Sequence, residues 1–187
     1  MLVFPVPVFA SQATNSEYVN TANHATEDTK SELPPELAAF CKTMLLGGNM
    51  KKGDVRILSQ NNGEEFCVEV LDNEQTTVVP RSVTTTTTLF TFYIKNSAGK
   101  RVDLFKVFPK ATWIRGDRIT NFECTYEIVK TGVKCSWDNN YNHASSTFCT
   151  RALDVSYASK SYFIIFSASL NGNKTAIDID CSEGPEL

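Results

Sequence analysis

From residue 54 onward, short apolar runs alternate along the chain with clusters of turn-forming residues. Threonine, valine, isoleucine and aromatic side chains dominate the runs, and these residue types favour extended strands. The turn signals between the runs are Asn61-Asn62-Gly63, Ser97-Ala98-Gly99, Thr131-Gly132 and Asn171-Gly172. The pattern predicts strands over residues 54–59, 65–71, 76–79, 85–95, 100–108, 112–115, 119–130, 133–137, 147–157, 162–170 and 175–181. Strands of this number and spacing predict a mainly β protein, an antiparallel β-sandwich or barrel.

A different periodicity precedes the strands and predicts one N-terminal α-helix. Pro34 and Pro35 suit the first helical turn, because the N–H groups that they lack would have no partner there. The apolar residues that follow at helical spacing are Leu37, Phe40, Cys41, Met44 and Leu45. Gly47-Gly48 then ends the helix. Residues 14–33 are polar and acidic, and predict a flexible arm ahead of this helix.

The first 13 residues have the features of a secretory signal peptide. They are apolar from Leu2 to Ala10, and Ser11 and Ala13 supply the small residues that a signal peptidase accepts. The segment is short and has no basic start, so it resembles the tail of a longer signal. The alternative is an exposed apolar arm or an edge strand. We expect a secreted, extracellular protein with a single β-rich domain over residues 34–187 and no membrane span, because no other stretch approaches about 18 apolar residues.

The six cysteines of the chain also favour an extracellular location. They are Cys41, Cys67, Cys124, Cys135, Cys149 and Cys181. Their even number, wide spacing and lack of a CxxC motif predict a disulfide framework, but leave the pairing open. A tight hairpin at Thr131-Gly132 would set Cys135 opposite Ile128, with Cys124 about 13 Å further along its strand. That distance exceeds the limit of about 7 Å between the Cα atoms of a disulfide. A looser connection would let Cys124 and Cys135 pair.

Composition argues against catalysis and against nucleic-acid binding. The net charge of −3 gives no general affinity for nucleic acid. The two histidines, His24 and His143, lack the spacing of metal ligands. Asp138, His143 and Ser145 fall in one predicted loop, whereas a catalytic triad needs a rigid scaffold. We therefore expect no enzymatic activity, no cofactor and no metal.

One tripeptide, Arg115-Gly116-Asp117, is a candidate motif for binding a protein partner. It resembles the integrin-recognition tripeptide, which implies that the arginine reaches an acidic pocket and the aspartate ligates a metal ion bound to the integrin. Glycine lets the turn become tight enough to present both side chains. The alternative is an ordinary Gly-Asp turn. The predicted partner-binding residues are thus Arg115, Gly116 and Asp117, with an extracellular protein or cell-surface receptor as partner.

Two further surface features accompany this tripeptide. A basic stretch predicts a patch for an acidic partner such as a glycosaminoglycan, or, alternatively, the solvated outer face of a hairpin. The residues of the patch are Lys100, Arg101, Lys106, Lys110 and Arg118. The sequon Asn173-Lys174-Thr175 follows Gly172 in a predicted turn, which places a candidate N-glycan on the surface.

The segment from Cys124 to Trp137 resembles the start of a class I cytokine-receptor module. The resemblance rests on Cys124 and on Cys135-Ser136-Trp137, and the Trp-Ser-x-Trp-Ser signature of that family is absent from the sequence. The alternative is that Trp137 is an aromatic residue of the core.

Taken together, the layout resembles the secreted salivary proteins of blood-feeding ticks that modulate host immunity or haemostasis. The signal-like start, the acidic arm, the cysteines in a β-rich body and Arg115-Gly116-Asp117 carry the resemblance. It implies a non-enzymatic binding protein that acts on host immune or haemostatic proteins or cells through its surface loops. The alternative is a carrier of a small lipid or amine, with some of the 12 phenylalanines lining an apolar β-barrel cavity.

Overall fold

The computed structural model describes residues 21–24, 50–78 and 83–183. They form ten strands: β1 (Thr21–His24), β2 (Val55–Asn61), β3 (Glu64–Val78), β4 (Val83–Lys95), β5 (Arg101–Ile114), β6 (Ile119–Ile128), β7 (Lys134–Ala144), β8 (Phe148–Tyr157), β9 (Lys160–Asn171) and β10 (Lys174–Glu183). The prediction of a mainly β protein is confirmed. The predicted helix, the signal-like residues 1–13 and Cys41 lie outside the described residues. Within those residues, no helix is present that would be long and apolar enough to cross a membrane.

The strands form two antiparallel sheets. The large sheet has the order β1-β6-β5-β4-β3-β2, and the small sheet has the order β10-β9-β8-β7. Buried apolar side chains from both sheets belong to a single core. The arrangement therefore corresponds to the sandwich form of the prediction, in which two sheets bury their facing sides against each other.

An aromatic cluster occupies the centre of this core. The Phe92 ring stacks on the Phe105 ring with their centroids 4.6 Å apart, and Phe166 of the other sheet meets Phe92 in a T-shaped contact with a centroid distance of 6.0 Å. Phe66 of the large sheet stacks on Tyr162 of the small sheet at 4.0 Å. Trp137 is partly buried, and its ring packs against the core with its centroid 6.2 Å from that of Phe166.

Two pairs of predicted strands are continuous in the structure. Residues 65–71 and 76–78 of two predicted strands are both part of β3, which continues through a bulge at residues 70–72. Residues 101–108 and 112–114 of two further predicted strands are both part of β5. Between β4 and β5, the ladder is interrupted from Thr87–Lys110 to Phe90–Val107. Pro109 lies in this gap and has no N–H to donate, so the strand continues while its pairing with β4 does not.

The hairpin predicted at Thr131-Gly132 is wrong, although the turn itself is present. The Val133 N–H donates to the Lys130 carbonyl at 3.3 Å, but the chain then passes from the large sheet to the small sheet. Cys135 consequently pairs with Val155 rather than with Ile128. β1 takes only residues 121–124 of the second edge of β6. The physical reason for the change of sheet is core packing, because pairing with β8 lets Trp137 of β7 pack its ring against Phe166. Strand β1 comes from the segment predicted as a flexible arm.

Candidate functional site

The Arg-Gly-Asp tripeptide lies in the turn between β5 and β6. The Ile114 N–H donates to the Arg118 carbonyl at 2.8 Å, and the Asp117 N–H donates to the Ile114 carbonyl at 3.1 Å. Gly116 has a φ of +71°, a conformation that glycine adopts without strain. Arg115 and Asp117 are both exposed, so the structure places the tripeptide where a partner can reach it.

A second turn adjoins this one. A Cβ atom built on Gly116 would lie 3.3 Å from the Asn173 side-chain oxygen in the turn between β9 and β10. The candidate glycosylation site and the candidate partner-binding site, which the sequence separates by more than 50 residues, therefore lie side by side. Asn173 is exposed, as the prediction of a surface sequon requires.

Next to both turns lies a cleft with a volume of about 630 Å³, which we call the threonine cleft. The residues that line it come from β3, β4, the end of β5, the start of β10 and the two turns. They are Asn73, Gln75, Thr77, Thr84, Thr86, Trp113, Arg115, Asn173, Lys174, Thr175, Ala176 and Ile177. Apart from Trp113, Ala176 and Ile177, all of these carry polar side chains.

The cleft exists because one half of the inner face of the large sheet is polar. Along β4, alternate residues face the interior, and the order from one end to the other is Thr84, Thr86, Thr88, Phe90 and Phe92. Across the ladder, Thr84 faces Thr77, Thr86 faces Gln75 and Thr88 faces Asn73. The interior therefore changes from a filled aromatic half to a half lined by hydroxyl and amide groups.

Hydrogen bonds fix part of this polar lining. The Trp113 indole N–H donates to the Thr86 hydroxyl at 3.2 Å, and the Thr77 and Thr84 hydroxyls share a hydrogen bond of 3.2 Å. The Thr175 hydroxyl oxygen is buried and has no hydrogen-bond partner among the residues that the structure describes. A buried hydroxyl without a partner is costly unless a ligand or water satisfies it.

The predicted basic patch lies largely in ion pairs. Across β5 and β6, Lys106 pairs with Glu127 at 3.5 Å, and Lys110 lies 3.9 Å from Glu123. Arg118 lies 3.8 Å from Asp117 within the Arg-Gly-Asp turn. This outer face consequently presents charges of both signs rather than a field of one sign.

Arg101 of the same patch is held in place by contacts with neighbouring side chains of the large sheet. Its guanidinium group lies 3.9 Å from the centre of the Tyr93 ring and pairs with the carboxylates of Glu69 and Asp103. Stacking on Tyr93 and pairing with two carboxylates hold this side chain against the sheet. Lys100 is exposed in the preceding turn.

The structure does not show the predicted disulfides. No two of the described cysteines are bonded to each other. Burial raises the pKa of the Cys135 thiol to about 12 and that of Cys149 to about 11. Burial is also the main cause of the raised pKa of Cys124, and the positive charge of Arg151 opposes this rise. Such thiols are protonated at neutral pH and react slowly.

Residues 138–145 do not form a triad in the structure. The Ser145 hydroxyl donates to the Phe148 carbonyl at 2.8 Å and accepts from the Phe148 N–H at 3.0 Å, so it closes the turn between β7 and β8. Burial lowers the pKa of His143, whose ring packs near that of Phe148. Across the described parts of the chain, there is no group of three or more His, Cys, Asp or Glu side chains that would hold a metal ion.

The sequence reasoning located the turn but missed the cleft. The signal that was present is the run of threonines at residues 84–88, because a strand that enters a core normally turns apolar side chains inward. The other lining residues lie far apart in sequence, and only the pairing of the strands brings them together. The fold and site define a two-sheet antiparallel β protein with an exposed Arg-Gly-Asp turn beside a polar cleft. Comparison with family models, curated proteins and solved structures found no match for this chain.

Proposed function

We propose that the chain is a secreted, non-enzymatic binding protein that acts on host immune or haemostatic cells through an integrin-type receptor. The observation that carries this proposal is the presentation of Arg115 and Asp117 on a glycine-centred turn at the surface. The Asp117 side chain is 58% exposed, so its carboxylate is open to a metal ion held by a partner. Its ion pair with Arg118 is exposed as well, and such pairs contribute little.

The sheets support this role by holding the turn rigidly. Strands β5 and β6 pair on both sides of it, from Trp113–Ile119 to Phe105–Ile128. Binding residues on a loop are positioned best when a rigid scaffold fixes the ends of that loop. The alternative function, a carrier of an apolar ligand, has less support, because the described phenylalanines in the core contact one another and the cleft is polar.

Replacing Asp117 with glutamate should lower adhesion of integrin-bearing cells to the immobilised protein by about tenfold or more, which corresponds to about 1.4 kcal/mol. The reason is that the added methylene group moves the carboxylate away from the position at which it would ligate the metal ion. A cell-adhesion assay measures the effect, and chelation of divalent cations should abolish adhesion to the original protein.

Asp72→Glu is the matched control, since Asp72 is also an exposed aspartate in an ion pair on the large sheet. It should adhere like the original protein. Equal adhesion of the Asp117→Glu and Asp72→Glu variants would show that Asp117 is not part of the binding site.

For the secreted protein we also propose a disulfide between Cys124 of β6 and Cys149 of β8. Support comes from the burial of both residues in the same core, one from each sheet, and from the contact between β6 and β8. The two thiols would pass two electrons and two protons to a disulfide oxidant of the secretory pathway. The bond would join the two sheets through the core.

Peptide mapping without reductant should recover Cys124 and Cys149 in one linked peptide from protein secreted by eukaryotic cells. The double substitution Cys124→Ala and Cys149→Ala should then lower the free energy of unfolding by about 3 kcal/mol, the range for a bond that closes a short loop. Alkylation of both thiols in unreduced, unfolded protein would contradict this pairing. It would leave the adhesion prediction untouched, because the Arg-Gly-Asp turn lies on other residues.

A further inference from the structure

We propose that the threonine cleft binds a short acidic saccharide whose charge is a carboxylate or a sulfate. This goes beyond the proposed receptor binding, because it assigns a second site with its own ligand. The site lies on β3, β4, the end of β5 and the start of β10, and it shares Arg115 with the Arg-Gly-Asp turn, but Asp117 does not line it.

The polar half of the inner face is the first support for a ligand site. Thr84 and Thr86 are 2% and 5% exposed, at positions where a sandwich normally buries apolar side chains to stabilise its core. Because threonines occupy these positions, the fold lacks the stabilisation that buried apolar side chains would give there. Departures of this kind are expected where a site has to recognise a ligand.

The hydrogen-bonding groups of the cleft match a molecule that has many hydroxyl groups. The side-chain amides of Asn73, Gln75 and Asn173 each offer both a donor and an acceptor. The Thr175 hydroxyl oxygen is buried in the lining of the cleft and has no partner among the described residues, so its hydrogen bond is left for a ligand or a water to complete. Sugar hydroxyls also donate and accept, so they can satisfy groups of both kinds.

The charge of the cleft selects an acidic saccharide over a neutral one. Arg115 and Lys174 line the cleft, and no carboxylate does so among the residues described. A planar guanidinium group binds a carboxylate or a sulfate through two parallel hydrogen bonds, which gives geometric selectivity as well as energy.

Two other ligand classes fit less well. A nucleotide base needs an open aromatic face on which to stack, but Trp113 is only 1% exposed and its indole N–H is bonded to Thr86. A lipid or other apolar ligand needs an apolar lining, which the threonines and amides do not supply. The volume of about 630 Å³ lies within the usual range for small-molecule sites.

The two tryptophans of the chain give a direct readout of binding in this cleft. Trp113 lines the cleft, whereas Trp137 packs against Phe166 in the core. In nitrogen-15 NMR spectra of the full chain, 3′-sialyllactose and a sulfated lactose serve as the carboxylate and sulfate probes. At least one of them should shift the indole N–H resonance of Trp113 and leave that of Trp137 in place. Neutral lactose should bind about tenfold more weakly or worse.

Two pairs of variants locate the binding. Lys174→Gln should weaken the acidic saccharide about tenfold, while Lys134→Gln, an exposed lysine on β7, should have no effect. Thr84→Val keeps the shape of the side chain but removes a hydroxyl from the cleft, so it should also weaken binding. Thr87→Val changes the other face of the same strand and should not.

Two results would overturn the proposal. One is a Trp113 indole resonance that does not move with either acidic saccharide at millimolar concentration. The other is equal binding of lactose and the acidic probes. An Asp117→Glu variant should retain saccharide binding, so the failure of one site is distinguishable from the failure of the other.

Discussion

Replacing Phe92 with alanine should lower the free energy of unfolding by about 3–5 kcal/mol, the range measured when large buried aromatic side chains are removed. Phe92 has no exposed surface, and its ring contacts Phe105, Phe66 and Phe166. The substitution would leave a cavity between the two sheets, because the surrounding strands are held by their ladders and cannot collapse into it. Urea denaturation followed by circular dichroism measures the change.

Phe163→Ala is the matched control for this cavity. Phe163 is half-buried and packs its ring at 4.8 Å against Tyr141, away from the aromatic cluster. It should lower the free energy of unfolding by less than half as much. An equal loss in both variants would mean that the aromatic cluster is not the centre of the core.

Replacing Arg56 with methionine should lower the free energy of unfolding by about 2 kcal/mol at neutral pH. Arg56 is on β2, at the edge of the large sheet, and joins it to the edge of the small sheet. Its guanidinium group lies 3.4 Å from the Asp178 carboxylate and donates to the Ile179 carbonyl at 3.0 Å. Removing one member of a fully buried pair costs about 3–5 kcal/mol, and the 34% exposure of the Arg56 side chain reduces that figure.

The effect should depend on pH. Burial raises the pKa of the Asp178 carboxyl above its ordinary value of 3.8, and Arg56 opposes that rise. A group with a raised pKa in the folded state stabilises the fold most at low pH, and this contribution is lost as the pH rises through the folded pKa. Without Arg56 the pKa should rise further. The deficit of the variant should therefore be largest at neutral pH and shrink as the solution is acidified towards about pH 4.

Two comparisons isolate this pair. Arg118→Met, which removes an exposed ion pair, should change the free energy of unfolding by less than about 1 kcal/mol. Combining Arg56→Met with Asp178→Asn should recover part of the loss, because the buried charge is gone. A deficit that is constant across the pH range would show that Arg56 acts through packing rather than through the carboxylate.

The alternation of side chains predicted the strands well but not their partners. Residues 85–95 and 147–157 were predicted as strands, and β4 and β8 occupy nearly those ranges. A turn signal, however, does not specify the sheet in which the following strand lies. At Thr131-Gly132 the chain turns as predicted, but β7 joins the small sheet, where Trp137 packs against Phe166 of the core.

Of the candidate site, the sequence predicts the part that is local in the chain and does not predict the part that depends on strand pairing. Arg115-Gly116-Asp117 is a local motif, and its exposure on a turn followed from the glycine and the flanking apolar residues. The threonine cleft depends on register, since Thr77, Thr84 and Trp113 meet only because β3, β4 and β5 pair as they do. No local pattern contains that pairing. The balance of charge on the basic patch was missed for the same reason, because the carboxylates opposite Lys106 and Lys110 come from β6.

The contact between Gly116 and Asn173 has a practical consequence for any experiment on this protein. A glycan on Asn173 would be attached beside the Arg-Gly-Asp turn and at the mouth of the cleft. Because glycans are bulky, it would cover surface at both places. Protein from bacteria and protein from eukaryotic cells would then present two different surfaces on the same fold. The choice of expression host therefore becomes an experimental variable in its own right, and a partially glycosylated sample would behave as a mixture of two species with different surfaces.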